Sequence, residues 1–239
     1  MNDNVTRDVP VLFDYQLEAF LKRTDGDCLK KETRSSCLWR HRAQYAVSHT
    51  LNEFFAMEPL IRQEIPIAYL LEKWWPPGLE GFDSLQQYWE LKQTFGDQLS
   101  RIAVDLQELP RPFLLYDEQH VYVPELRSNL SVLVQAAWLH TDGGKAEQLE
   151  IHKFLISYHE EVIRAAISLL NVFCWNAFGQ MPEVIHIHSL LEGRQISTRS
   201  EECHLRASMD YVRLAAGSCL YMNQEGTAAN GTDQSVIQQ

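Results

Sequence analysis

Three sets of residues in this chain have types and spacings that chemistry uses. The first centres on Lys153, in the segment LEIHK (149–153). A lysine inside an apolar run is uncommon, because an ammonium is costly to desolvate without a partner or a task. Beside an acid that holds Mg²⁺ or Mn²⁺, such a lysine orients or activates water. The acids within reach in sequence are Glu150, Asp142 and Glu125, and His49 is a further candidate. The second set is His186 and His188, in VIHIHSL. Residues i and i+2 of a strand share a face. With His140 or His152 on neighbouring strands, this geometry permits a zinc site; alternatively, the imidazoles line a polar sheet face or meet a partner, and no metal ligand is assigned. The third set is the cysteines, Cys28, Cys37, Cys174, Cys203 and Cys219. Their long spacings contain no CxxC pair and exclude a zinc ribbon. Cys174, in an apolar helix, is read as a small core residue. No glycine-rich phosphate loop or nucleophile elbow is present, so nucleotide hydrolysis and serine-hydrolase chemistry have no support.

These residues need elements to position them. The spacing of Leu17, Phe20 and Leu21 predicts a short helix in VLFDYQLEAFLKR, followed by a polar loop. A helix is expected from about Cys37 to Met57, with Val47, Leu51, Phe54 and Phe55 on its apolar face and His49 on the other. Pro59 and Pro66 interrupt the pattern, IAYLLEKWW resumes it, and Pro76, Pro77 and Gly78 stop it. A long helix follows Asp83 or Ser84 as its N-cap. The texture changes after Pro112. RPFLLYDEQHVYVPEL reads as strand-like runs either side of an acidic turn, and NLSVLVQAAWLH, TDGG and EQLEIHKFLIS as a hairpin. A buried helix is expected over Glu160–Phe178, then strands VIHIHSL and QISTR, then a last helix from Glu201 to about Tyr221. In an extended strand Glu150 and Lys153 point to opposite faces; only a bulge would unite them. The aromatic group Trp74, Trp75, Phe82, Tyr88 and Trp89 reads as lobe core. The resulting fold class is α/β, a mixed sheet flanked by helices. Residues 1–10 are expected to be a flexible start, 11–222 one domain with a helical lobe at about 38–109, and 223–239 a disordered tail.

The net charge of −11 argues against a stand-alone, sequence-independent nucleic-acid binder, because phosphate contacts need cations. A local exception is Lys22, Arg23, Lys30, Lys31, Arg34, Arg40 and Arg42, seven basic residues against three acidic ones between 22 and 42. This segment is the candidate nucleic-acid contact, or else a solvated face. The polar opening MNDNVTRDVP and the lack of a long apolar stretch predict a cytoplasmic protein with no membrane partner.

The order of a helical first half followed by β-β-β-α-β-β-α resembles the RecB-like branch of the PD-(D/E)XK nuclease superfamily. Residues 11–221 carry the resemblance: the entry helix LEAFLKR, the helix YAVSHTLNEFF with His49, the segment KWWPPGLEGFDSLQQYW, the hairpin and MPEVIHIHSLLEGRQ. The resemblance implies a PD-(D/E)XK-like sheet with a metal-binding Asp in the strand SVLVQAAWLH, an acid two residues before Lys153, and a glutamine early in the next helix. Here Ala136 and Ala137 stand where the Asp would be, Ile151 precedes Lys153 by two, and EEVIRAAISLL offers no glutamine. The resemblance therefore implies a degenerate nuclease, with Lys153 either a remnant of the catalytic lysine or an ordinary edge-strand residue. The family's iron–sulfur variants use one early and three late cysteines; Cys28 or Cys37 is early, but only Cys203 and Cys219 are late, so no cluster is expected. The expected function is a non-catalytic interaction subunit of a larger nucleic-acid-processing or defence complex, CRISPR-associated, anti-phage or repair, with no cofactor. The alternative is an active Mg²⁺- or Mn²⁺-dependent DNA or RNA nuclease using His49, Asp142, Glu150 and Lys153. A third reading, a helical scaffold without nuclease ancestry, requires the strands between 113 and 199 to be absent.

Overall fold

The computed structural model describes residues 9–24, 34–141, 147–199 and 205–229, with side chains for 9–22, 38–141, 147–199 and 205–218. Val11–Phe13 form a strand, β1, and the chain passes at Asp14 directly into helix α1 (Asp14–Thr24). The single short helix expected here is divided because the apolar triplet finds a parallel partner in a distant strand, β3 (Ser128–His140). Four helices follow: α2 (Arg34–Ala56), α3 (Pro59–Glu64), α4 (Ile67–Trp74) and α5 (Leu85–Leu106). The prolines mark starts as well as stops. Pro59 opens α3 and Pro66 is the N-cap of α4, positions that lack an intrahelical N–H partner anyway. Ser84 caps α5 by accepting from the Gln87 N–H at 3.0 Å, and the Gln87 side chain reaches back to the Asp83 N–H at 2.7 Å.

The second half is β2 (Leu114–Val123), β3, β4 (Gln148–Leu155), α6 (Glu160–Phe178), β5 (Val184–Ser189), β6 (Arg194–Arg199) and α7 (Leu205–Ala229). The acidic segment read as a turn is strand instead: Asp117, Glu118 and Gln119 pair with Val134, Leu133 and Val132. The distortion falls at Tyr116, with φ 47°, and the reversal falls beyond Val123, where Arg127 has φ 51°. Asp142 and most of the expected TDGG turn lie outside the described residues. Helix α6 begins beneath Glu160 and Glu161, acids that suit the positive end of its dipole, and ends at Gly179, whose φ of 73° is the left-handed cap glycine adopts freely. Helix α7 continues to Ala229, past Asn223 where the tail was expected to begin.

The six strands form one mixed sheet, with β1, β3, β4, β5 and β6 in order and β2 on the other edge of β3. Because β2 takes one edge of β3 along its length, β1 and β4 must share the opposite edge. β1 pairs with Asn129–Ser131 and β4 with Ala136–His140, leaving a fork between them. Helices α2, α4 and α5 cover one face through Phe54, Phe55, Leu71, Phe95 and Leu99, against Trp138 and Phe154. The other face is covered by α6, through Val162, Ala166, Leu170 and Phe173 against Val132, Ala137, Ile151 and Ile187. Helices α1 and α7 complete a third apolar cluster beside α6. The chain is thus a mixed α/β protein whose sheet is flanked by helices. Helix α6 alone among the described helices has the length and hydropathy of a membrane span, and most of it is buried against the protein.

Candidate functional site

Strand β4 presents two unlike constellations because its side chains alternate. Ile151, Lys153 and Leu155 face α6; Glu150, His152 and Phe154 face away from it. Glu150 and Lys153 therefore lie on opposite sides of the sheet, with no bulge in β4 to unite them.

On the α6 side, the Lys153 ammonium lies 3.1 Å from Asp14 Oδ2. Asp14 sits at the β1–α1 junction, inside the fork. Its Oδ2 also accepts from the Leu133 N–H at 3.3 Å, and its Oδ1 accepts from the Tyr15 N–H at 2.8 Å. The other gap in the fork is closed by Gln135, whose amide accepts from the Phe154 N–H at 2.6 Å and donates to the Phe154 carbonyl at 3.3 Å. A side chain thus does what a neighbouring backbone does elsewhere in the sheet. Burial pulls the Lys153 pKa down, but the Asp14 and Glu18 carboxylates outweigh it and hold the ammonium above its ordinary value. Glu18 is itself paired with Lys22 at 2.6 Å. The cavity beside Lys153 has a volume of 20 Å³, about that of one water. Ala137 and Ile151 are directly paired across β3 and β4 and buried under α6.

On the opposite side, three histidines gather about one carboxylate, and a fourth, His188, contacts one of them. Glu150 Oε1 lies 2.7 Å from His152 Nε2 and 3.4 Å from His186 Nε2, and Oε2 lies 2.7 Å from His140 Nε2. His152 and His186 are register partners on β4 and β5, so the pleat sets their rings side by side, with centroids 4.6 Å apart. The far ring nitrogens of His152 and His186 are also engaged: His152 Nδ1 meets His188 Nε2 at 3.0 Å, and His186 Nδ1 meets Ser197 Oγ at 2.7 Å. Hydrogen bonds from His152 and His186 hold the Glu150 carboxyl well below the usual carboxylate range, against an opposing effect of burial. Burial pushes His152 down despite Glu150, and pushes His188 down to about 3, assisted by the charges of His152 and His186.

His49 is remote from both constellations in contact terms. It lies between Tyr45 and Trp74 on the α2–α4 surface, stacked on the Trp74 ring at 4.5 Å. Glu125 is exposed in the β2–β3 turn. In the basic segment, Lys22 pairs with Glu18, Arg42 with Glu80, and Arg40 covers the Trp39 ring. The side chains of Arg23 and Arg34, and the whole of Lys30 and Lys31, lie outside the described residues. Of the aromatic group, Trp75, Phe82 and Tyr88 are buried, whereas Trp89 is exposed. Asp14 and Glu18 are the acids that sequence reasoning missed. The signal available was an acid directly after the apolar triplet VLF, at a helix start. Compared with known proteins, the chain matches no family model and no curated protein sequence.

Proposed function

We propose that this chain is a PD-(D/E)XK-like protein without nuclease activity, which acts through its surfaces as an interaction subunit of a nucleic-acid-processing or defence complex. The observation that carries this reading is the Ala137–Ile151 pair. These positions correspond to the two metal-binding acids of the resemblance, and they hold methyl groups packed beneath α6. Divalent magnesium requires oxygen ligands, and neither side chain supplies one. The nearby Lys153 ammonium is neutralised by Asp14 and is enclosed. Exposed aromatic side chains on the helical layer, Tyr45, Tyr69 and Trp89, suit a protein partner, and the described cations of the basic segment are the candidate nucleic-acid contact.

One observation favours the alternative, a metal-dependent nuclease with a rearranged site. Asp14 contacts Lys153, and Glu18, one helical turn later, lies within its electrostatic reach. A cleavage assay separates the two. Purified protein is given labelled single- and double-stranded DNA and RNA with Mg²⁺ or Mn²⁺, beside Asp14→Asn and Lys153→Met variants whose melting curves show them folded. The expected result is no cleavage above background by any of the three. Metal-dependent cleavage by the parent that both variants lose would establish the alternative.

A further inference from the structure

The Glu150 cluster lies on the other face of the sheet from Lys153 and stands independently of the nuclease resemblance. Glu150, His152 and His186 each offer one ligand atom, and these atoms all lie within 4.8 Å of one another. We propose that Glu150, His152 and His186 form a binding site for a first-row transition-metal dication of the zinc type.

Four features of the geometry carry this assignment. First, the donor set is two imidazole nitrogens and one carboxylate oxygen, a set that suits zinc and its neighbours and suits magnesium poorly. Second, the three ligand atoms lie within 4.8 Å of one another, near the spacing of a bound metal's ligands. In a tetrahedral site with bonds of about 2.0–2.1 Å, ligand atoms stand about 3.4 Å apart. Glu150 Oε1 and His186 Nε2 already do, at 3.4 Å. Glu150 Oε1 and His152 Nε2 are 2.7 Å apart and need a small side-chain rotation, exchanging one hydrogen bond for two metal bonds. Third, each ligating ring has a partner on its far nitrogen. With Nε2 on the metal, His152 carries its proton on Nδ1 and donates it to His188 Nε2, and His186 Nδ1 is held at 2.7 Å from Ser197 Oγ. Such partners fix the tautomer and the ring plane. Glu150 is likewise held through its second oxygen by His140. Fourth, exposure is graded across the cluster. His152 is 2% exposed, His186 19% and His140 35%, so the site is closed at its floor and open on one side. Three protein ligands with an open side describe a centre that leaves room for a water or a small ligand.

Full-length protein, stripped with chelator and returned to buffer, would be titrated with Zn²⁺ against a chromophoric competitor and, separately, with Co²⁺ under visible spectroscopy. The parent should bind one equivalent that is lost in both His186→Ala and Glu150→Gln and retained in His120→Ala, an exposed histidine on β2. Ser197→Ala should weaken that equivalent by about 10-fold, as changes to ligand-orienting partners do. The Co²⁺ complex should show d–d bands without the intense thiolate charge transfer that cysteine ligation produces. His186→Ala and Glu150→Gln are the informative variants because both positions reach the surface; circular dichroism would show them folded. Retention of the equivalent in both variants, thiolate bands in the Co²⁺ spectrum, or failure of the parent to compete for Zn²⁺ would each overturn the assignment.

Discussion

Arg62 shows how a single side chain can hold several elements. It is 1% exposed, yet its bonding partners are carbonyl oxygens: Met57 at 3.2 Å, Leu106 at 3.3 Å and Leu109 at 2.7 Å. These carbonyls follow or end α2 and α5, where unpaired C=O groups carry the negative end of the helix dipole. The guanidinium also lies over the rings of Phe54 and Phe55. Burial lowers its pKa, against the raising effect of Glu58, but an arginine starts so high that it remains charged. Replacing Arg62 with leucine strands three carbonyls in an apolar setting. The expected loss is about 3 kcal/mol by urea denaturation. Arg62→Lys should recover only part of it, because an ammonium cannot span three acceptors as a planar fork does. Equal stability of the lysine variant and the parent would refute the bridging role.

At the scale of elements, the fork in the β3 edge depends on Gln135. Gln135→Leu keeps the bulk but leaves the Phe154 N–H and C=O unpaired. The expected cost is about 2 kcal/mol, with faster amide exchange at Phe154 than at Ile151, whose strand partner is backbone. Unchanged exchange at Phe154 would show that the side chain adds nothing the sheet lacks. The fork also explains what was legible in the sequence. Helices α2 and α5 have periodic apolar patterns, α6 and strands β3 to β5 have dense apolar runs, and β6 follows them across a turn, so their positions were readable. β1 was not, because three residues carry no period and become strand only when β3 offers an edge. The acidic stretch in β2 misled for a related reason: Asp117 and Glu118 are exposed on successive positions of a paired strand, where polarity says nothing of a turn. The histidine pair was visible as HIH, but its assembly with His140, Glu150 and His152 follows from strand register, which the sequence leaves open. Asp14 could not be matched to Lys153, since 139 positions separate them.

At the scale of the whole molecule, buried groups make the fold sensitive to alkali. Burial pushes the Cys174 thiol up to about 12 and raises the Tyr116 hydroxyl, and the acids around Lys153 raise its ammonium. In each case the folded pKa exceeds the unfolded one. The unfolded chain therefore loses its proton first, and stability falls as pH rises. For Cys174 the window opens near the ordinary thiol value of 9.0 and closes near 12. Each such group removes about 1.4 kcal/mol per pH unit within its window. Melting temperature should decline from about pH 9 upward, and less steeply in Cys174→Ala. A melting temperature flat to pH 11 would contradict the assignment. Alkylation of Cys174 at pH 8 should likewise require unfolding, which mass spectrometry with and without urea would report.

The shared edge of β3 also has a consequence during synthesis. Val11–Phe13 and Asp14 emerge well before their partners on β3 and β4; Lys153 follows Asp14 by 139 residues. At about 5–20 residues per second, the β1–α1 segment waits roughly 7–28 s for its place in the sheet. Helices α2, α4 and α5, whose contacts are closer in sequence, can pack on one another in that interval. The apolar triplet VLF and Leu17 are meanwhile without their final cover. On the ribosome, a slow pause before β4 would lengthen that exposure rather than relieve it.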